Sequence, residues 1–151
     1  MTSFLKTKVT GFKELRNKLR NMPKELEAEM RKVVEAGAML VRNDAIKSIQ
    51  DGKKTGRVYK RGNIEHRASA PGEAPASDTG RLVAAITYDM DDRKPIAYVR
   101  AATEYAKRLE FGTVEVAARP FLLPAVKKNE KKIEAAYKRK AKEYFKSKGK
   151  K

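Results

Sequence analysis

The sequence predicts an α+β fold. A long N-terminal helix and a basic C-terminal helix pack on a small, mostly antiparallel sheet, and a long flexible loop interrupts the chain. Three observations carry this expectation. Apolar residues recur at helical spacing over residues 23–50 and again after residue 120. Two short alternating runs, 86–91 and 96–102, flank a DDRKP turn. Residues 51–79 hold four glycines and two prolines and keep no period. Helices at either end of a strand pair describe an α+β layer arrangement.

Taken in order, FLKTKVT (4–10) alternates loosely and reads as a strand or a short arm. In GFKELRNKLRNMP, Phe12, Leu15 and Leu19 lie on one face of a short helix ending near Asn21. Pro23 opens the long helix, where a missing N–H costs nothing. Leu26, Met30, Val33, Val34, Gly37, Val41, Ala45 and Ile49 form its apolar stripe. Gly37 and Ala38 mark a place where another element comes close. Asp51–Gly52 ends the helix.

A non-periodic stretch of nearly thirty residues is usually functional or disordered. Within it, VYKRGNIEHR has the alternation of a short hairpin around Arg61–Gly62–Asn63, and SAPGEAPASD reads as mobile. In RLVAAITYDM, Leu82, Ala85 and Ile86 suit a short helix, capped by Asp78 or Thr79. The runs 86–91 and 96–102 pair as a hairpin. Thr103 reads as the N-cap of a short helix, EYAKRLEF, stopped by Gly112. VEVAA, within 113–119, reads as a further strand. The last helix runs from about Pro120 to Phe145, with Leu122, Val126, Ile133, Tyr137 and Tyr144 near one face and Asn129 interrupting it. Residues 146–151 should fray.

At 151 residues the chain suits one domain, 1–151. Hydrophobic residues at 40% and charged residues at 36% imply an ordered centre with charged, flexible parts. The net charge is +17. Residues 127–151 hold 12 Lys/Arg against 3 Glu, more than half of that excess, and the loop adds a smaller one. The absence of cysteine excludes disulfides and thiolate metal sites. No apolar run is long enough for a membrane span, and the start lacks a signal-peptide apolar region.

Chemistry is hard to find. His66 is the single histidine and has no companions to bind a metal. Asp89, Asp91 and Asp92 suit the turn in which they lie. Ser77, Asp78 and Thr79 lack a neighbouring base. GKKTG at 52–56 lacks the full phosphate-loop pattern and a preceding strand. No cofactor or metal is expected, and no enzymatic activity. The lysine-rich last helix has two readings, a solvated face or a nonspecific nucleic-acid contact, because lysine meets phosphate as a point charge without reading bases.

Four stretches carry a likeness to a known family: GFKELRNKLRNMPKELEAEM, SDTGRL, EYAKRLEFGT and ARPFLLPAV. The closely spaced last two are the most specific. With them the chain resembles the small tail-component family of long-tailed bacteriophages, described as tail-completion or head–tail joining (neck) proteins. That resemblance implies a virion protein, assembled in the host bacterial cytoplasm, that forms a ring, as a hexamer, at the top of the tail. It would complete or terminate the tail tube and meet the tube protein and the head-side connector or stopper, with genome DNA passing nonspecifically through its lumen.

On the residues, the apolar knot at 105–122 serves as core alone or as core plus subunit contact. Tyr105, Leu109, Glu110, Phe111, Gly112, Arg119, Pro120, Phe121 and Leu122 are the interface candidates, with Glu110 placed to pair with Arg108 or Arg119. Lys53, Lys54, Arg57, Lys60, Arg61 and Arg67 are the loop candidates for a DNA-lined lumen or an acidic partner surface. The alternative to the tail role is a nonspecific nucleic-acid-binding module acting through the last helix.

Overall fold

The structure, a computed structural model, describes residues 5–6 and 23–148. The expected helix 12–21, the rest of the expected strand 4–10, and the fraying residues 149–151 lie outside the described residues. The fold is α+β. Its elements are β1 (Leu5–Lys6), α1 (Lys24–Asp51), β2 (Val58–Arg61), β3 (Ile64–Arg67), α2 (Arg81–Ala84), β4 (Ile86–Met90), β5 (Ala97–Ala101), α3 (Ala106–Phe111) and α4 (Leu122–Lys148).

The helix α1 begins directly after Pro23, as its apolar stripe predicts, and is about 42 Å long at 1.5 Å per residue. It buries Leu26, Met30, Gly37, Ala38, Val41, Ala45 and Ile49. The helix α4 lies antiparallel against it. Val41, Ala45 and Ile49 share a core with Phe121, Leu122 and Ala125, while Leu26 and Met30 meet Tyr137 at the far end. Gly37 lies directly against α4: a Cβ there would lie 3.0 Å from the Ile133 side chain. The expected close packing at Gly37 is thus supplied by α4.

The sheet has the order β1-β5-β4 and is antiparallel throughout. Ile86 pairs with Ala101 and Met90 with Ala97, while Leu5 pairs with Ala101 on the other edge. Asp91 closes the β4–β5 turn by accepting the N–H groups of Arg93 and Lys94, both at 2.9 Å. That is the turn role expected of it. Ile86, Ala101 and Leu82 of α2 complete the main core. Arg42 of α1 donates its Nε–H to the Ile86 carbonyl at 2.9 Å and fixes the long helix to the sheet.

Two expected caps are replaced. Gly80, at φ 73°, occupies the N-cap of α2, and neither Asp78 nor Thr79 caps it. Tyr105 occupies the N-cap of α3 without a side-chain bond. The Thr103 hydroxyl is buried and has no partner among the described residues; its carbonyl instead accepts the Ala106 N–H at 3.2 Å. At Thr103 a tight backbone turn supplies the bond that the side chain was expected to make.

Candidate functional site

The knot at 105–122 is built around one carboxylate. A helix leaves its first N–H groups without intrahelical partners, and α4 has no acidic residue in its first turn. Glu110, at the end of α3, fills that need. Its Oε2 accepts the N–H groups of Phe121 and Leu122, each at 3.0 Å, and its Oε1 accepts that of Leu123 at 2.7 Å. Pro124 follows and has no N–H to satisfy. The carboxylate is 2% exposed and sits at the positive end of the α4 dipole. The expected ion pair of Glu110 with Arg108 or Arg119 is therefore corrected: its oxygens are taken by three backbone donors.

Phe121 and Leu122 are fully buried in the core that this cap organises. Leu109 packs against the same core. Arg119 works through its backbone and guanidinium alike. Its N–H donates to the Leu109 carbonyl at 2.6 Å, and its side chain donates to the carbonyls of Ser69 and Ala117 at 3.3 and 3.2 Å. EYAKRLEFGT and ARPFLLPAV are thus two halves of one capping device.

Between those halves the chain turns outward. Gly112 has φ 72°, and a Cβ there would lie 2.8 Å from the Val116 carbonyl oxygen and the Ala118 nitrogen. Only glycine meets both conditions. The Thr113 hydroxyl accepts the N–H groups of Glu115 and Val116 at 3.3 and 3.0 Å, while the Thr113 N–H donates to the Val116 carbonyl at 2.7 Å. The expected strand VEVAA does not form, because these bonds close the segment into a turn. Its apolar side chains point out: Val114 is fully exposed, Phe111 is 55% exposed, and Tyr105 and Val116 are partly so. Large apolar groups held outward on a closed turn are suited to docking.

The basic segment divides the same way. β2 and β3 form the hairpin expected around Arg61–Gly62–Asn63, with Tyr59 stacked on His66 across the strands at 5.7 Å. Arg61 pairs with Asp78. The Lys54 Nζ donates to the carbonyls of Gln50 and Gly52, at 3.3 and 2.8 Å, and closes the end of α1. Lys53, Arg57, Lys60 and Arg67 are exposed. They make no ion pair among the described residues.

The stretch after the hairpin, whose composition suggests mobility, is tethered. Glu73 accepts the Thr55 hydroxyl at 2.6 Å and the N–H groups of Thr55 and Ala70 at 3.0 and 2.8 Å. These bonds, the Thr55 hydroxyl foremost, hold its carboxyl down at about 2. Gly72 donates its N–H to the Ala118 carbonyl at 2.9 Å, joining this tether to the outward turn.

Sequence reasoning passed over two further groups. Asn129 reads as a flaw in an apolar face, yet its buried Nδ2 donates to Asp44 at 2.6 Å and to the Ala125 carbonyl at 2.9 Å. Lys128 adds a 2.9 Å contact to the same carboxylate. The Asn129 bond first, and Lys128 next, hold the Asp44 carboxyl below its usual range. Asp44, Ser48, Ala74, Pro120 and Pro124 line an open groove of about 460 Å³ beside this crosslink. None of these groups is arranged as a nucleophile with a base.

Comparison with protein families matches residues 13–112 to the family described as "Bacteriophage HK97-gp10, putative tail-component". The matched span reaches from the segment before α1 to Gly112 and includes Glu110, while α4 follows it. No curated protein and no solved structure matched the chain.

Proposed function

The chain belongs to the HK97-gp10-like family and is a bacteriophage tail component, and from that premise we propose that it completes or terminates the tail tube and joins it to the head-side connector as a subunit of a ring. The role is mechanical and involves no turnover of substrate. The observation that carries the reading is the family match across two thirds of the chain. The closed turn after Gly112 supports it, because Phe111 and Val114 offer apolar anchors that the chain's own core leaves uncovered. A ring needs a head-to-tail contact, in which one patch meets a different patch on the next copy. The groove beside Pro120 and Pro124 is suited to the receiving side.

In this reading Tyr105, Phe111, Val114 and Val116 form the contact, while Glu110, Phe121 and Leu122 hold it in shape. Arg57, Lys60 and Arg67 on the hairpin meet an acidic partner surface.

Electron microscopy of lysates from a phage lacking this gene tests the proposal. DNA-filled heads beside separate tails are expected for a joining role, and abnormally long tails for a terminating one. Complete, infectious particles would contradict both.

A further inference from the structure

The two long helices differ sharply in charge. α1 carries five Lys/Arg against six Asp/Glu, so it is close to neutral. α4 carries ten against three. A solvated helix does not need that excess, as α1 demonstrates with similar length. The excess is also ordered. At 100° per residue, Lys127, Lys131, Lys138, Lys142 and Lys146 fall within about 100° of one another, opposite the face that buries Leu122, Ala125, Asn129 and Tyr137. All five are exposed.

Lys127, Lys131, Lys142 and Lys146 make no ion pair among the described residues. Lys138 meets only Glu134, one turn back in its own helix. The acidic residues Glu130, Glu134 and Glu143 lie off the stripe, and Ala135 and Phe145 are its uncharged members. Lys128 falls at the same angle as Lys146, at the edge of the stripe, but its charge is taken by Asp44, and Lys140 and Lys148 face Glu29 and Glu25 of α1. The three lysines paired with α1 are neutralised, and the five left over form a stripe of one sign about 28 Å long.

We propose that this outward stripe of α4 is a binding surface for the phosphate backbone of duplex nucleic acid, without base preference. The three i,i+4 steps space the charges at about 6 Å, on the order of the phosphate spacing along one strand, and the step from Lys131 to Lys138 across Ala135 is about 10 Å. Each lysine is a mobile, hydrated point charge, so the contact is weak singly and additive in number. It carries no sequence information, because no base-reading donor fork lies on the stripe. The surface belongs to a single chain and does not depend on the ring. A chain that failed this test would still be open to the tail role, and the gene-deletion phenotype tests that role separately.

The test is fluorescence anisotropy of a labelled duplex of arbitrary sequence against the full chain over a salt series. The wild type is expected to show a steep fall of affinity with salt. Replacing Lys127, Lys131, Lys138, Lys142 and Lys146 together by Gln is expected to flatten the log–log slope by about 4 to 5, since each neutralised phosphate contributes about 0.9. The same five changed to Arg are expected to keep the slope. Gln at Lys53, Arg57, Lys60 and Arg67 serves as the comparison and is expected to leave most of it. Circular dichroism establishes that each variant is folded. An unchanged slope in the folded five-Gln variant would overturn the assignment. So would binding of polyglutamate as tight as that of duplex DNA, which would make the stripe a general anion surface.

Discussion

Glu110 decides the geometry of the knot. Three backbone donors converge on one buried carboxylate, and removing it leaves them without partners beside the fully buried Phe121 and Leu122. A hydrogen bond to a charged group contributes about 1.5–3 kcal/mol, and orphaned buried donors add to the loss. Glu110→Ala is expected to lower stability by about 2–4 kcal/mol in urea unfolding. A loss below about 0.5 kcal/mol would show that water replaces the cap. The sequence hinted at this role without revealing it. A helix opening on RPFLLP has no Ser, Thr or Asp at its start, so its acceptor had to come from elsewhere in the chain. Glu110 looked instead like one half of a surface ion pair, because Arg108 and Arg119 are nearer to it in sequence than the donors that claim it.

At the scale of elements, legibility followed periodicity. α1, the β4–β5 hairpin, the basic hairpin and α4 were readable because spacing and turn residues agree there. VEVAA was misread because alternation alone cannot register the Thr113 hydroxyl and Gly112 closing the segment on itself. The tether of residues 68–80 was hidden for a similar reason. Its bonds converge on Glu73 from Thr55, 18 residues away, and no local pattern records that.

That tether is titratable. The Glu73 carboxyl is held at about 2 in the fold, against an ordinary 4.5. Its folded pKa is depressed, so its contribution is complete above about 4.5 and is lost as pH falls toward 2. Carbon NMR of the Glu73 carboxyl is expected to give a midpoint near 2, with the Thr55 and Ala70 amide shifts following it. A midpoint near 4.5 would mean that the tether is open in solution. Asn129 belongs to this scale as well. Its bonds to Asp44 and Ala125 fix the α1–α4 register, and Asn129→Ala is expected to cost about 1–2 kcal/mol.

At the scale of the whole molecule the chain separates structure from contact. The residues that hold the knot are buried, and those that remain outside it are the apolar turn after α3, the basic hairpin and the lysine stripe of α4. Phe111→Asp with Val114→Asp is expected to leave urea stability within about 1 kcal/mol of wild type, because both side chains are exposed. The same variant is expected to reduce infectious particles at least tenfold, since a central apolar anchor is worth about 2 kcal/mol or more at an interface. Normal yield from the double variant would remove the turn from the contact. The claim of a joining or terminating subunit is tested most directly by locating the chain in the finished particle. Immunogold labelling of virions that carry a tag on this chain is predicted to place gold at the head-proximal end of the tail alone. Gold along the tube, at the distal tip, or absent from virions with verified tag incorporation would contradict it.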